Sequence, residues 1–186
     1  MRIVAGKWRG RSLVAARGAE FRPTQGRVRE ALFSRLGERP ADAVVVDLFA
    51  GSGSLGLEAL SRGARSAVFV EAAAPALTAL RKNIEELGAR DAARIAAMDA
   101  FEFLAQPRGR VAGVTLLFAD PPYGEVAAQV AASLETASAI AWGPGAVRVI
   151  ECATHGGDWA TPPGWRRWPE RRYGDTRVVI EELEGA

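Results

Sequence analysis

Ala43-Val44-Val45-Val46-Asp47-Leu48-Phe49-Ala50-Gly51-Ser52-Gly53-Ser54-Leu55-Gly56 is the stretch on which the reading of this chain turns. Its β-branched apolar run, Ala43–Leu48, has the composition of a strand buried on both faces. Glycines at 51, 53 and 56 follow, and the apolar spacing then becomes helical over Ser54–Ser61. Strand, glycine turn and helix in this order open a parallel α/β sheet. The glycines let the backbone approach an adenosine-type ligand, and the helix N-terminus favours an anion. Glu71 ends the next apolar run twenty residues after Gly51, the spacing of a carboxylate that reads a ribose diol.

The same alternation continues outward. Ala67–Glu71 is a second strand, Pro75–Leu87 a helix with proline in its first turn, and Arg94–Ala97 a weaker third strand. Asp99 is expected to cap a short helix through Ala105. Val114–Ala119 is a fourth strand, Glu125–Ala139 a helix and Ala146–Glu151 a fifth strand. Trp165–Tyr173 and Thr176–Glu182 flank Gly174-Asp175, which predicts a hairpin and a terminal antiparallel strand. At the other end, Arg2–Ala5 and Arg11–Ala15 are expected to form a small hairpin. A helix over Arg27–Leu36 follows it, with Thr24 as the candidate N-cap. The fold class expected is α/β: a Rossmann-like, mostly parallel sheet with an antiparallel end and an N-terminal hairpin-and-helix arm.

The chain has 186 residues, enough for one domain with a real core. Cys152 is the only cysteine, so no internal disulfide is expected. No apolar run approaches the ~20 residues that span a bilayer, and the first residues lack a signal-peptide pattern. A cytoplasmic protein acting as a monomer, with no membrane, is the expectation. No cluster has metal-ligand spacing, so no metal is expected. The net charge is +2, unevenly spread: residues 1–39 hold ten basic and three acidic residues, a net of +7. A basic arm on an acidic body is a nucleic-acid footprint. Deleting residues 1–15 is expected to weaken nucleic-acid binding and flatten its salt dependence while leaving ligand binding at the glycine loop nearly intact.

Asp47 is costly inside a strand unless it holds a cation or orients the loop after it. Asp99, after the third strand, is placed to accept from an adenine amino group. Asp120-Pro121-Pro122-Tyr123 directly follows the fourth strand. Ligands of open parallel sheets bind outside the strand carboxyl ends, so this tetrapeptide and the glycine loop are expected to face one crevice. An exocyclic base amine is a poor nucleophile because its lone pair is delocalised. The Asp120 carboxylate and a backbone carbonyl stiffened by Pro121-Pro122 can each accept one amine hydrogen and localise that pair. Tyr123 offers a face on which a flipped base stacks. A nicotinamide dehydrogenase would explain the glycines but leave the tetrapeptide without a task. A non-catalytic RNA-binding module is opposed by an intact Asp120 and Gly51.

Asp47-Leu48-Phe49-Ala50-Gly51-Ser52-Gly53, Gly56-Leu57-Glu58-Ala59-Leu60-Ser61-Arg62-Gly63-Ala64 and Asp120-Pro121-Pro122-Tyr123 together resemble the RsmD family of bacterial small-subunit ribosomal RNA methyltransferases. Arg2–Arg11, Arg22–Phe33 and the tail Gly164–Pro169 with Tyr173–Arg177 are similar to its signatures, the tail to those of high-GC Gram-positive members, so the resemblance covers essentially the whole chain. It implies transfer of a methyl group from S-adenosyl-L-methionine to the N2 amine of a guanine in 16S ribosomal RNA, free or in the small ribosomal subunit. It implies cofactor binding by Gly51, Gly53, Glu71 and Asp99, with Asp47, Phe49, Ala50, Ser52, Gly56, Ala72 and Ala100 beside them. Asp120, Pro121, Pro122 and Tyr123 become the catalytic and base-holding set. Residues 1–39 become an RNA-binding arm with Arg2, Lys7, Arg9, Arg11, Arg22, Arg27 and Arg29 as candidate contacts, and residues 40–186 the methyltransferase domain. Arg22 and Thr24 are expected to help close the methionine end. Gly26 departs from the family, which usually has Asp there, and removes a helix-start carboxylate. The alternative is a DNA adenine-N6 methyltransferase, which the same tetrapeptide would serve.

Overall fold

Five apolar runs become five parallel strands because a helical crossover after each of the first four returns the chain to the same edge. The computed structural model describes residues 1–15, 23–107, 111–122, 126–154 and 158–185, the side chains of 23–25 apart. In chain order the elements are α1 (Pro23–Leu36), β1 (Val44–Leu48), α2 (Ser54–Ser61), β2 (Ser66–Glu71), α3 (Ala74–Glu86), β3 (Ala93–Ala97) and α4 (Ala100–Leu104). They continue with β4 (Val111–Ala119), α5 (Val126–Thr136), β5 (Ile140–Ala153), β6 (Trp165–Arg167), β7 (Arg171–Tyr173) and β8 (Thr176–Leu183). The sheet order is β3-β2-β1-β4-β5-β8-β6, with β7 also on β8. β1 to β5 run parallel, and β8 is antiparallel to β5. The order reverses between β1 and β4, the switch point at which such sheets bind ligands. This is the Rossmann-like sheet expected. Among the described residues no helix is long and apolar enough to cross a membrane.

Period-two alternation sorts the strand residues into two cores. Val45, Phe69, Leu116, Phe118, Val147 and Val149 pack with Leu32 and Phe33 of α1, Leu57 and Leu60 of α2 and Leu80 and Ile84 of α3. Val46, Leu48, Val70, Leu117, Ala119 and Ile150 pack with Phe103 and Leu104 of α4 and Val130 and Leu134 of α5.

Three expectations change. The strand over Trp165–Tyr173 is two short strands. Three residues lie between Arg167 and Arg171 where two lie between Glu181 and Val178 on β8, the geometry of a bulge beside Pro169, which lacks an N–H. The hairpin at Gly174-Asp175 is present, with Tyr173 paired to Thr176. α1 begins at Pro23, so Thr24 lies in its first turn rather than capping it; proline's fixed φ suits that first position. The N-terminal hairpin is present but short: Leu13 N–H donates to Met1 O, Ile3 N–H to Arg11 O and Gly10 N–H to Ile3 O around the Arg2–Ser12 bridge, while the N–H groups of Val4 and Ala5 bond α2 instead.

That docking makes the arm part of the body. Glu58 of α2 is fully buried. Its carboxylate accepts from the backbone N–H of Val4 at 2.7 Å and of Ala5 at 3.0 Å, and from Arg62 Nε at 2.9 Å. Arg29 Nε of α1 lies 3.8 Å away. Ser61 Oγ accepts from Trp8 N–H and donates to Ala5 O, and Ser61 O accepts from Lys7 N–H. Gly6 passes so close that a Cβ there would lie 1.9 Å from Ser61 O. Ile3 and Leu13 are buried in the same core as α1 to α3. We expect Glu58→Ala to lower stability by about 3–5 kcal/mol, as for loss of one member of a buried ionic network, and Glu58→Gln to cost less because an amide oxygen still accepts. Urea unfolding measures both; a Glu58→Ala midpoint equal to wild type would refute the account.

Candidate active site

Four neighbouring strands each end in a carboxylate on the same face of the sheet. Leu48 pairs with Val70 and with Ala119, and Ala119 with Ile150. These residues face the α4–α5 core, so alternation turns Asp47, Glu71 and Glu151 to the opposite face, and Asp120, one residue past β4, follows the same phase. Across the edge the order is Glu71, Asp47, Asp120, Glu151. Their charges act on one another: Asp47 is raised in part by Asp120 and Glu71, and Glu151 in part by Asp120 and Asp47.

Two of the four are committed to the glycine loop. Asp47 Oδ2 accepts from Gly56 N–H at 2.9 Å, so the buried acid orients the turn rather than holding a cation. A Cβ on Gly56 would lie 2.4 Å from the Phe69 ring and 3.1 Å from Asp47 Oδ2, which excludes any other residue. Glu71 Oε2 accepts from Gly51 N–H at 2.7 Å, and its Oε1 from Ala72 and Ala73 N–H at 2.9 and 2.7 Å. Asn83 of α3 donates to Ser52 O at 2.9 Å and exchanges two hydrogen bonds with the backbone of Val14, so the arm and the glycine loop share one side chain. Phe49 has φ of 56°, a strained value for a bulky residue, and meets Phe101 edge-on at 6.1 Å. Asp99 Oδ1 caps α4, accepting from Phe101 N–H at 2.7 Å and Glu102 N–H at 3.2 Å, while the side chain stays exposed.

These residues suit an adenosine ligand with an anionic end. Gly51 has φ of 56° and open space where a Cβ would project. Gly53, the N-cap of α2, supplies no side-chain cap, so the N–H groups of Ser54 and Leu55, unlike that of Gly56, are available to an anion. Glu71 ends β2, and Asp99 with Ala100 follows β3.

Burial raises Asp47 from 3.8 to about 8, against the opposing Gly56 hydrogen bond. Asp120 is raised to about 6 by the protein packed around it, while its side chain keeps contact with solvent. Burial raises Glu151 well above the ordinary range, opposed by Arg29.

Arg29 does not fit the expected RNA-contact set: it is 4% exposed and donates through Nη2 to Arg2 O, so phosphate cannot reach it. Arg2, Lys7, Arg9, Arg11 and Arg27 are exposed, though Arg11 also donates to Glu86 O. Pro121 and Pro122 follow Asp120 at the edge; Tyr123, Arg22 and His155 lie outside the described residues. Trp165 packs edge-on against Trp142, and Cys152 is buried beside Arg177. Sequence reasoning missed Glu58 and Asn83, whose partners are backbone groups distant in the chain. It also missed Glu151, whose signal was the one used for Glu71: an acid at the end of a parallel strand.

The family model described as Conserved hypothetical protein 95 matches residues 1–182. The chain is 43% identical to "Ribosomal RNA small subunit methyltransferase D" of Escherichia coli (strain K12) over 66% of its own length, spanning 60% of that protein. It is 38% identical to a candidate rRNA methyltransferase of Bacillus subtilis (strain 168) over 67% of its own length and 68% of the relative. A solved structure of a candidate Escherichia coli methyltransferase superposes with a TM-score of 0.86 at 34% identity, covering 100% of this chain and 99% of that one.

The Asp47 environment yields a stability test. Its folded-state value is raised above the unfolded one, so the native state holds a proton that the unfolded chain releases, and stability falls as pH rises from about 4 to about 8. Asp47→Asn keeps an acceptor for Gly56 N–H and removes that titration. Urea unfolding should therefore show the variant gaining on wild type as pH rises across this window; a gap independent of pH would contradict the assignment.

Proposed function

The chain belongs to the Conserved hypothetical protein 95 family, and on that premise we propose that it transfers a methyl group from S-adenosylmethionine to the exocyclic N2 amine of a guanine in 16S ribosomal RNA. The observation that carries this reading is the pairing of Leu48 with Ala119. It makes the glycine loop and Asp120-Pro121-Pro122 emerge side by side from adjacent parallel strands, the juxtaposition that a two-substrate transfer needs. The names of the Escherichia coli and Bacillus subtilis relatives support a ribosomal RNA substrate.

S-adenosylmethionine, when bound, supplies an activated methyl group on a good leaving group. Gly51, Gly53, Glu71 and Asp99 would hold it, with the α2 N-terminus toward its carboxylate. Asp120 accepts one hydrogen of the target amine and a backbone carbonyl of the proline pair the other, so that the nitrogen lone pair leaves the ring system. Asp120 is also placed to take the proton that the amine must lose. Tyr123 offers its ring to the flipped base, a contact worth about 1–3 kcal/mol. The exposed Arg2, Lys7, Arg9, Arg11 and Arg27, with Arg22, would contact phosphates.

Single-turnover methylation of 16S ribosomal RNA at saturating cofactor tests this. Asp120→Ala should slow the chemical step by a factor on the order of 10²–10³, as for loss of one preorganised contact to the transition state. Because only ionised Asp120 can take the amine's proton, and its value is raised to about 6, the wild-type rate should climb with pH to about that value and then level. Asp120→Ala at near wild-type rate, or methyl transfer to DNA adenine in place of guanine N2, would refute the proposal.

A further inference from the structure

We propose that Glu151 reads the base: its carboxylate accepts the N1–H of the target guanine beside the N2 amine held by Asp120, making it a specificity-determining residue. This rests on the guanine-N2 reading above and extends it to a residue with no other assigned task.

The placement follows from the strand register. Ala119 pairs with Ile150 in parallel, so Asp120 and Glu151 are the next residues of two adjacent strands, projecting to one face. The four carboxylates of this edge divide by use. Glu71 accepts three backbone N–H groups and Asp47 accepts Gly56 N–H. Among the described residues the carboxylates of Asp120 and Glu151 make no hydrogen bond, and Asp120 is exposed while Glu151 is half-buried. Arg29 of α1 is 4% exposed, its Nε buried and without a hydrogen-bond partner, and its charge acts on Glu151. Two acceptors that no protein donor uses thus stand on adjacent strands, one of them under the charge of a buried guanidinium.

The Watson–Crick edge of guanine presents two donors side by side, N1–H and the N2 amine, and two adjacent acceptors complement them. The N1–H donor of a bound guanine and the Arg29 charge favour ionised Glu151 against the burial that raises it, and adenine, which presents an acceptor at N1, would be repelled by that carboxylate. Once the base is flipped out, this edge is what a pocket can read.

The test uses RNA carrying either guanine or 2-aminopurine at the target position. 2-Aminopurine keeps the N2 amine and lacks N1–H. Wild-type kcat/KM should favour guanine by at least about tenfold, the lower end for one good base contact. Glu151→Gln, isosteric and able to accept from N1–H or donate to a bare N1, and Glu151→Ala should each bring that preference to within about threefold while calorimetry shows unchanged S-adenosylhomocysteine affinity. Variants that lose rate equally on both bases, keeping the wild-type preference, would overturn the assignment and leave Glu151 a structural residue. A wild type that methylates both bases equally would do the same. A wild type inactive on guanine N2 would instead sink the proposed function itself, and this inference with it.

Discussion

The parallel pairing of β1 with β4 is the constraint from which the rest of the site follows. Because Leu48 lies against Ala119, the glycine loop and the Asp120 segment leave the sheet at the same level, at the point where strand order reverses. Strict alternation then decides which side chains meet. Residues one position off in phase would point into the α4–α5 core, where Leu48, Val70, Ala119 and Ile150 are buried. A single-residue slip of any strand would remove its carboxylate from the row. Gathering these acids has a cost that appears as raised proton affinity at Asp47, Asp120 and Glu151. The cost is tolerated because the acids are used: one orients the loop and two face the crevice.

The basic segment before the sheet is coupled to the site rather than appended to it. Glu58, in the helix that leaves the glycine loop, gathers the backbone of Val4 and Ala5 and the guanidinium of Arg62, with Arg29 close by. Asn83 joins Val14 to Ser52. Unpairing either buried side chain would leave polar groups unsatisfied in the interior, which is expensive. An RNA strand engaging the exposed arginines of residues 1–15 would therefore press on the elements that shape the cofactor loop. The charge asymmetry along the chain pointed to a surface but gave no hint of this anchoring.

The sheet was legible because its evidence is local. Apolar runs of strand length, a glycine turn after the first and Asp-Pro-Pro-Tyr after the fourth fix order and direction without knowledge of contacts. Asp99 was legible as a cap for the same reason, since its partners lie two and three residues on. The failures have a common cause in partners that lie far along the chain. The hairpin expected over residues 2–15 is present but cut short after Ile3, because Glu58, more than fifty residues away, takes the N–H groups of Val4 and Ala5. Arg29 looked like a phosphate contact by composition and is buried against Arg2 and Glu58. Glu151 escaped notice because its neighbour Asp120 is adjacent only through the β4–β5 register.

The central claim is that one guanine of 16S ribosomal RNA receives its N2 methyl group from this chain through Asp120. The most direct measurement is mass spectrometry of modified nucleosides in 16S ribosomal RNA from a strain lacking the gene and from the same strain supplied with wild-type or Asp120→Ala protein. The account predicts that one N2-methylguanosine disappears in the deletion strain, returns with the wild-type gene and fails to return with the variant. An unchanged set of N2-methylguanosines in the deletion strain, or full restoration by the Asp120→Ala protein, would contradict it.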